Sequence, residues 1–123
     1  RFLTTCSRVR SMTSRRQIFN IFDMPYSTYD LEGVVQDELQ LLNISYDRET
    51  QLGWYVIRMD PGASSIHHEH LTQEEFLILE GDLTESDGTR LKAGDFVSYS
   101  AGTSHNSSTE NGCLLIGINR EPD

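Results

Sequence analysis

Turn-forming residues interrupt this sequence at short intervals, and this spacing limits the folds that the chain can adopt. Glycine, proline, aspartate and asparagine separate β-forming runs of only four to eight residues. Short strands with a turn about every eight to twelve residues are typical of β-sandwiches and β-barrels. The predicted strands are Glu38–Ser45, Gly53–Met59, Ser64–His70, Glu75–Glu80, Phe96–Tyr99 and Cys113–Asn119. The sequence therefore predicts an all-β domain, in which the segment Tyr29–Leu42 could contain one helical turn capped by Asp30.

Length and charge narrow the classes of function. At 123 residues the chain is long enough for one domain, and it contains no apolar stretch of membrane-spanning length. The net charge is −9, and all 19 acidic residues follow residue 22. A body this acidic repels a phosphate backbone, so we expect no nucleic-acid partner and no membrane partner.

The first 22 residues differ from the rest of the chain. Residues 1–22 contain five arginines, several serines and threonines, and no acid. This composition is typical of an organellar transit peptide. The alternatives are a disordered arm, or sequence upstream of an initiator at Met12. We therefore divide the chain into a basic arm, residues 1–22, which is flexible or a targeting segment, and a folded domain, residues 23–123. A cytoplasmic location is expected, or an organellar one if the arm is a transit peptide.

The two cysteines indicate neither a disulfide framework nor a thiolate metal site. Cys6 and Cys113 are far apart in sequence and form no Cys-x-x-Cys motif. Cys113 opens an apolar run, so we predict a buried free thiol there.

Three histidines and one glutamate stand at the spacing of a single metal site. His68 and His70 form His-x-His, and side chains at i and i+2 of a strand share a face, so both imidazoles can face one ion. Glu74 follows after a short bend, and His105 ends a later run, after Gly102. Imidazole and carboxylate ligands suit Fe(II), Mn, Ni, Co or Zn. The sequence predicts one divalent metal ion bound by His68, His70, Glu74 and His105.

Strand alternation assigns faces around this site. Ile66 should face inward with His68 and His70, whereas His67 should be an ordinary exposed polar residue. On the next strand Glu74, Phe76 and Ile78 should share one face, with Glu75 on the other. A structural zinc with a closed tetrahedral shell is the alternative to an open site. On an octahedral ion the same four ligands leave two positions free.

Two segments carry a resemblance to a known superfamily. Gly62, His68, His70, Glu74 and Gly81 occupy the positions of the first cupin motif, G-x5-H-x-H-x3-E-x6-G. The segment from Gly94 to His105 resembles the second motif, G-x5-P-x-G-x2-H-x3-N, with Ser100 in place of proline and Thr109 in place of asparagine.

Over about residues 33–119 the chain is similar to ChrR-like cupin domains. These include the sensory half of zinc-dependent anti-sigma factors and single-domain enzymes of the acetylacetone-cleaving dioxygenase type. The resemblance implies a double-stranded β-helix (jelly-roll, cupin) barrel with the four ligands around one metal at its mouth, and a homodimer. From the residues given we expect no extra N-terminal helical domain of the kind that binds a sigma factor, so the anti-sigma role is not carried over.

The leading functional hypothesis is a metal-dependent oxygenase that acts on a small dicarbonyl or phenolic substrate. Phe76 and Ile78 would form an apolar wall of the substrate pocket, and Tyr55, Tyr99 and Arg58 are further pocket candidates. No catalytic residue is assigned, because no nucleophile motif is recognisable. The alternatives are a non-catalytic sensor that binds zinc, and an acid–base isomerase or lyase, for which no base stands at a defined spacing.

Overall fold

The computed structural model describes residues 9–12 and 15–122, and every regular element in that part of the chain is a β-strand. The strands are β1 (Val9–Met12), β2 (Gln17–Phe19), β3 (Ser27–Tyr29), β4 (Gln36–Asn43), β5 (Gly53–Met59), β6 (His68–Glu69), β7 (Gln73–Glu85), β8 (Arg90–Lys92), β9 (Phe96–Tyr99), β10 (Ser104–His105), β11 (Ser107–Ser108) and β12 (Cys113–Arg120). Strands β5 and β9 have the predicted bounds. Of the predicted strand Ser64–His70, only β6 forms, whereas β7 extends well beyond the predicted Glu80.

The helical turn predicted within Tyr29–Leu42 is wrong. Strand β3 ends at Tyr29, and β4 occupies most of the remaining segment. Leu39 and Leu41 are both buried on one face of β4. This period of two fits a half-buried strand, and the pairing of β4 with β5 satisfies the backbone that a helix would have satisfied internally.

One antiparallel sheet of eight strands builds the domain. Neighbouring strands follow the order β3, β4, β5, β12, β7 and β11, and β8 and β9 also pair with β7. The 13-residue β7 pairs with β9 along its first half and with β8 and β11 along its second half. The sheet therefore curls around its longest strand, and the fold is the predicted all-β jelly roll.

Alternating side chains form one hydrophobic cluster on each face of the sheet. The inner cluster consists of Tyr29, Leu39, Leu41, Tyr55, Met59, Ala63, Phe76, Ile78, Leu83, Cys113 and Leu115. The outer cluster consists of Met24, Leu42, Val56 and Leu114, with Phe19, Ile21 and Tyr26 from the segment before β3 packed against it. The inner cluster lies beneath the predicted metal site, so the site is at one end of the core.

A bulge in β7 changes which side chains face the core. Leu115 of β12 pairs with Ile78, whereas Leu114 pairs with Glu80, so Leu79 is an extra residue on β7. Phe76 and Ile78 point inward before the bulge, and Leu83 and Glu85 are buried after it. The inward positions thus change from even to odd residue numbers along this strand.

The predicted arm is only partly within the described residues. Residues 1–8, 13 and 14 lie outside them, as does Cys6. Within residues 1–22, β1 and β2 pair as an antiparallel hairpin. In the part of the chain that the structure describes, no helix is long and apolar enough to cross a lipid bilayer.

Candidate metal centre

The four predicted ligands meet at one end of the barrel. One donor atom from each of His68, His70, Glu74 and His105 lies within 4.8 Å of the others. His68 and His105 are direct neighbours because β6 and β10 pair antiparallel at that position. His70 follows β6, and Glu74 lies near the start of β7. Strand pairing therefore brings together residues that are up to 37 positions apart in sequence.

Two buried nitrogens in the cluster have no hydrogen-bond partner. The Nε2 atoms of His70 and His105 lie 3.0 and 3.4 Å from Glu74 Oε1, which would suit hydrogen bonds by distance. No hydrogen bond forms, however, and both nitrogens are buried without a partner in the described part of the chain. An unsatisfied buried polar atom costs about 1–3 kcal/mol. Donor atoms that converge on a common point, rather than on each other, fit the ligand shell of a cation.

The outer nitrogens of His68 and His70 are held by neighbouring oxygens. His68 Nδ1 lies 3.1 Å from the carbonyl of Ile66, which can only accept. His70 Nδ1 lies 2.8 Å from Thr103 Oγ1, and that hydroxyl donates to the carbonyl of Ser100 at 2.6 Å. Both Nδ1 atoms must therefore donate, which leaves each Nε2 with a free lone pair for a metal.

A buried carboxylate holds the third histidine in the same way. Glu85 Oε2 accepts from His105 Nδ1 at 2.5 Å and from the Tyr99 hydroxyl at 2.6 Å, and Oε1 accepts from Ser107 at 2.6 Å. Burial by itself raises the pKa of Glu85, but the hydrogen bonds from His105, Ser107 and Tyr99 outweigh it and lower the pKa. Glu85 is therefore an anion that keeps Nε2 of His105 directed at the centre.

The electrostatics of the cluster favour a positive charge. Burial raises the pKa of Glu74, but the imidazoles of His105 and His70 outweigh it and hold the pKa well below its usual range. Burial lowers the pKa of His105, but Glu74 and Glu85 more than offset that and raise the pKa to about 9. Three imidazoles and one carboxylate thus fit a divalent ion by charge and by donor type, and on an octahedral ion they leave two positions open.

Two cavities adjoin the cluster. The outer cavity has a volume of about 450 Å³ and is lined mostly by polar side chains, among them Tyr29, Glu32, Tyr46, Tyr55, His68 and Asn119. The inner cavity is about 50 Å³, and Phe76, Met59 and Leu115 are among the apolar residues around it. His68, Glu74 and Tyr55 line both, so an ion at this centre would face a polar opening on one side and an apolar hollow on the other.

The structure brings two of the predicted pocket residues to the cavities. The Tyr55 hydroxyl donates to Asn119 Oδ1 at 2.8 Å and lies 3.2 Å from Glu74 Oε2. Phe76 forms part of the inner wall. Tyr55 can reach Asn119 because Gly117 lies beneath its ring, where a Cβ would stand 2.9 Å from the Tyr55 ring.

Three other predicted pocket residues lie elsewhere. The Tyr99 ring packs behind the ligands, with its centroid 4.5 Å from that of His105. Ile78 is fully buried in the inner cluster and lines neither cavity. Arg58 lies on the other face of the sheet, with its guanidinium 4.3 Å from the centroid of the Tyr26 ring. Alternation along β5 explains this, because Tyr55 points inward and residue 58 has the opposite parity.

The predicted inward orientation of Ile66 is wrong. Its side chain is exposed, and its backbone nitrogen donates to Gln36 Oε1 at 3.0 Å. The strand begins only at His68, so alternation does not extend back to residue 66. His67 is exposed, as predicted.

Several residues of the site were missed by sequence reasoning. Glu85 was missed because the bulge at Leu79 reverses the alternation that was used for β7. Gly81, directly after the bulge, was the available signal, since a glycine inside a strand often marks one. Glu32 and Asn119 carry no local signal, because they reach the outer cavity through the curl of the sheet.

A family comparison covers nearly the whole chain. The family model described as "ChrR Cupin-like domain" matches residues 18–121. No curated protein matches the sequence.

Solved structures with the same fold share little sequence with this chain. The anti-sigma factor ChrR of Rhodobacter sphaeroides, in complex with SigE, superposes with a TM-score of 0.65 at 16% identity, covering 82% of this chain and 51% of the matched chain. This chain thus spans about half the length of that relative. An RmlC-like cupin from Shewanella frigidimarina gives a TM-score of 0.64 at 18% identity, covering 91% and 92% of the two chains. KdgF from Halomonas sp. gives 0.62 at 15% identity, covering 84% and 93%. At these identities the likeness establishes the fold alone.

Proposed function

The chain belongs to the ChrR cupin-like family, and from that premise we propose that it is a divalent-metal-dependent oxygenase acting on a small dicarbonyl or phenolic substrate. The metal would be Fe(II), Mn, Ni or Zn, held by His68, His70, Glu74 and His105. The observation that carries this proposal is the outer cavity of about 450 Å³, which is lined by three of these residues, His68, His70 and Glu74. A purely structural metal needs no such opening.

The ligand count supports an open site. Four protein ligands on an octahedral ion leave two positions, enough for a bidentate dicarbonyl or an ortho-diphenol. When bound, the ion would act as a Lewis acid on the substrate oxygens. The apolar inner cavity, about 50 Å³, would hold a small apolar reactant, dioxygen, beside the substrate oxygens.

The remaining side chains would bind and orient the substrate. The single hydroxyl proton of Tyr55 is donated to Asn119 Oδ1, with Glu74 Oε2 at 3.2 Å, so the Tyr55 oxygen would accept a hydrogen bond from a substrate hydroxyl at this edge of the site. Phe76 would keep water from the inner side. We therefore propose that Tyr55 and Phe76 line the substrate pocket. Tyr99 would orient the ligand histidines from behind.

The proposed reaction balances with dioxygen as the only oxidant. A β-diketone takes up one molecule of dioxygen, one carbon–carbon bond breaks, and each of the two carbons gains one oxygen atom. The products are an α-dicarbonyl compound and a carboxylic acid, and no external reductant is consumed.

The test is oxygen uptake by the metal-loaded protein. The full chain is loaded separately with Fe(II), Mn, Ni and Zn, offered a panel of β-diketones and hydroxyacetophenones, and followed with an oxygen electrode. We expect uptake with at least one redox-active ion and, with a β-diketone as substrate, one carboxylic acid formed per dioxygen consumed. The absence of uptake with every ion and substrate would exclude the oxygenase.

A sensor is the second candidate. The observation that favours it is the match to the ChrR cupin-like family, one member of which was solved in complex with SigE. A sensor would hold zinc tightly and respond to a small molecule or oxidant. Elemental analysis of the protein from its native host discriminates the two: stoichiometric zinc favours the sensor, and iron or manganese favours the enzyme.

We also propose a homodimer and a cytoplasmic location, or an organellar location if residues 1–22 are a targeting segment. The family premise supports the first, and the composition of residues 1–22 supports the last. Sedimentation analysis of the full chain tests the dimer.

A further inference from the structure

The wall of the outer cavity is negatively charged. Three carboxylates line it, those of Glu32, Glu69 and Glu74, and none of its described lining residues is lysine or arginine. Arg48 is nearby, but its guanidinium is paired with Asp30 at 2.9 Å and does not line the cavity. A bound ligand would therefore meet negative charge and phenolic hydroxyls, with no lysine or arginine from the described lining residues beside the metal.

One of these carboxylates is held in place. Glu32 Oε2 accepts from the Tyr29 hydroxyl at 2.5 Å, and Oε1 accepts from Gln36 Nε2 at 3.1 Å. Gln36 is itself buried, and its Oε1 accepts from the backbone nitrogen of Ile66 at 3.0 Å. Each carboxylate oxygen keeps lone pairs beyond these bonds, so Glu32 is a positioned acceptor rather than a mobile surface carboxylate.

A second observation points to a ligand at the same place. The buried Nε2 atoms of His70 and His105 have no hydrogen-bond partner among the described residues, and His70 lines the outer cavity. The three carboxylates of the cavity wall therefore adjoin imidazole nitrogens that need a bound group. Glu32 would meet the part of a metal-chelating molecule that points away from the ion.

We propose that the outer cavity selects neutral or cationic chelating molecules over anionic ones, and that Glu32 sets this selection. The inference rests on the proposed metal site. It narrows the substrate class to small molecules with two oxygen donors and an uncharged or ammonium-bearing tail. A carboxylate or phosphate on that tail would have no cationic partner and would be repelled by Glu32 and Glu69.

The size of the effect follows from Coulomb's law. A unit charge about 6 Å from a partly exposed carboxylate, at an effective dielectric of about 40 to 80, changes a binding constant roughly three- to tenfold, in opposite directions for a cation and an anion. A cationic and an anionic tail should then differ by roughly tenfold to a hundredfold in affinity.

The experiment uses three probes with the same chelating head. Protein loaded with zinc, which is redox-inert, is titrated calorimetrically under argon with dopamine, 4-methylcatechol and 3,4-dihydroxyphenylacetate, whose tails are cationic, neutral and anionic. Wild-type protein should bind dopamine most tightly and 3,4-dihydroxyphenylacetate most weakly. Equal affinities, or the reverse order, would overturn the inference.

Variants assign the effect to one residue. Glu32→Gln keeps the acceptor for Tyr29 and removes the charge, so the ratio of dopamine to 3,4-dihydroxyphenylacetate affinity should fall about tenfold while 4-methylcatechol binding changes less than twofold. Glu69→Gln, at the exposed edge of the cavity, should lower the same ratio by a smaller factor. Glu110→Gln makes the same change of net charge outside the outer cavity and should leave the ratio unchanged. A ratio unaffected by Glu32→Gln and Glu69→Gln would overturn the assignment.

Metal content separates this inference from the function on which it rests. Zinc uptake is measured by elemental analysis before each titration. Fewer than about one zinc per chain would overturn the metal site and this inference together. Full zinc uptake without a charge preference would overturn this inference alone.

Discussion

At the scale of single residues, the centre depends on a carboxylate that does not touch the metal position. Glu85 is 4% exposed, and three donors reach it from His105, Tyr99 and Ser107. Because Glu85 is ionised, it can only accept from His105. It therefore fixes the orientation of the His105 ring and keeps the proton on Nδ1. Supporting carboxylates of this kind also raise the basicity of a ligand imidazole.

Replacing Glu85 should weaken metal binding without removing a ligand. Glu85→Gln loses the negative charge and allows the amide to donate to Nδ1, which would place the His105 proton on Nε2. We expect about 10- to 100-fold weaker metal affinity, measured by competition with a chromogenic chelator. Ser107→Ala keeps the charge and should have a smaller effect. Unchanged affinity in Glu85→Gln would show that the orientation of His105 does not depend on this contact.

The buried thiol of Cys113 predicts a pH dependence of stability. Burial, together with the charges of Asp82 and Glu85, raises the pKa of Cys113 to about 12, above the ordinary thiol value of 9.0. Between these values the unfolded chain loses the thiol proton while the folded chain keeps it, so this group lowers the free energy of unfolding as pH rises from about 9 towards about 12.

The measurement compares two proteins that both carry Cys6→Ser. Urea unfolding at about pH 8 and about pH 10, on either side of the ordinary thiol pKa, should show a larger loss of stability with Cys113 present than with Cys113→Ala. The thiol should also react slowly with a disulfide reagent at the lower pH until urea is added. Fast reaction in the native protein would contradict the burial.

At the scale of elements, the bulge in β7 connects the barrel to the site. The extra residue, Leu79, reverses the alternation, so Glu85 points inward below His105. Gly81 follows the bulge with a φ of 84°, and the carbonyl oxygen of Gly112 occupies the place where a Cβ would stand. Only glycine fits both conditions.

Gly81→Ala should therefore destabilise the fold by more than backbone strain alone. Gly88 is the matched control, because its φ is 90° but no atom lies within 4 Å of the place where its Cβ would stand. We expect a loss of about 1 kcal/mol in the free energy of unfolding for Gly88→Ala, and about 2–3 kcal/mol or more for Gly81→Ala. Urea midpoints measure both. Equal losses would mean that the Gly112 carbonyl can move away from the added methyl group at no further cost in stability.

At the scale of the whole molecule, a metal would join the least supported elements to the core. Strands β6 and β10 have two residues each and pair only with each other within the described residues, whereas β7 lies in the eight-stranded sheet. An ion bound by residues of all three regions would stabilise the folded state and not the unfolded one.

Metal removal should lower the melting temperature, and Glu74→Gln should abolish the effect. At a free metal concentration about 100 times Kd the stabilisation is about 2.7 kcal/mol. The matched control is Glu75→Gln, which changes the next residue on the opposite face, where Glu75 pairs with Arg120 at 2.9 Å. Differential scanning fluorimetry with and without EDTA should show a metal-dependent shift in Glu75→Gln and none in Glu74→Gln.

The predictable part of this protein consists of features with a short sequence period. Strands β5 and β9 were predicted to the residue, because turns bound them on both sides. The four residues of the candidate metal centre were identified from the sequence because two lie in one His-x-His pair, and the others stand at motif positions in the segments that follow. Phe76 followed from its parity with Glu74.

The tertiary structure alone decided which distant side chains complete the site. Alternation is a local rule that holds only within one unbroken strand, so it misplaced Ile66 before β6 and passed over Glu85 beyond the bulge. Glu32 and Asn119 reach the outer cavity because the sheet curls, and curvature is a sum of small twists over many strand pairs. Local sequence thus determined the fold class and the four residues of the candidate metal centre, since both depend on patterns that repeat within a few residues. The positions of Glu85 and of the charged residues around the outer cavity depended on how strands distant in sequence close the barrel. No short segment of sequence encodes that arrangement.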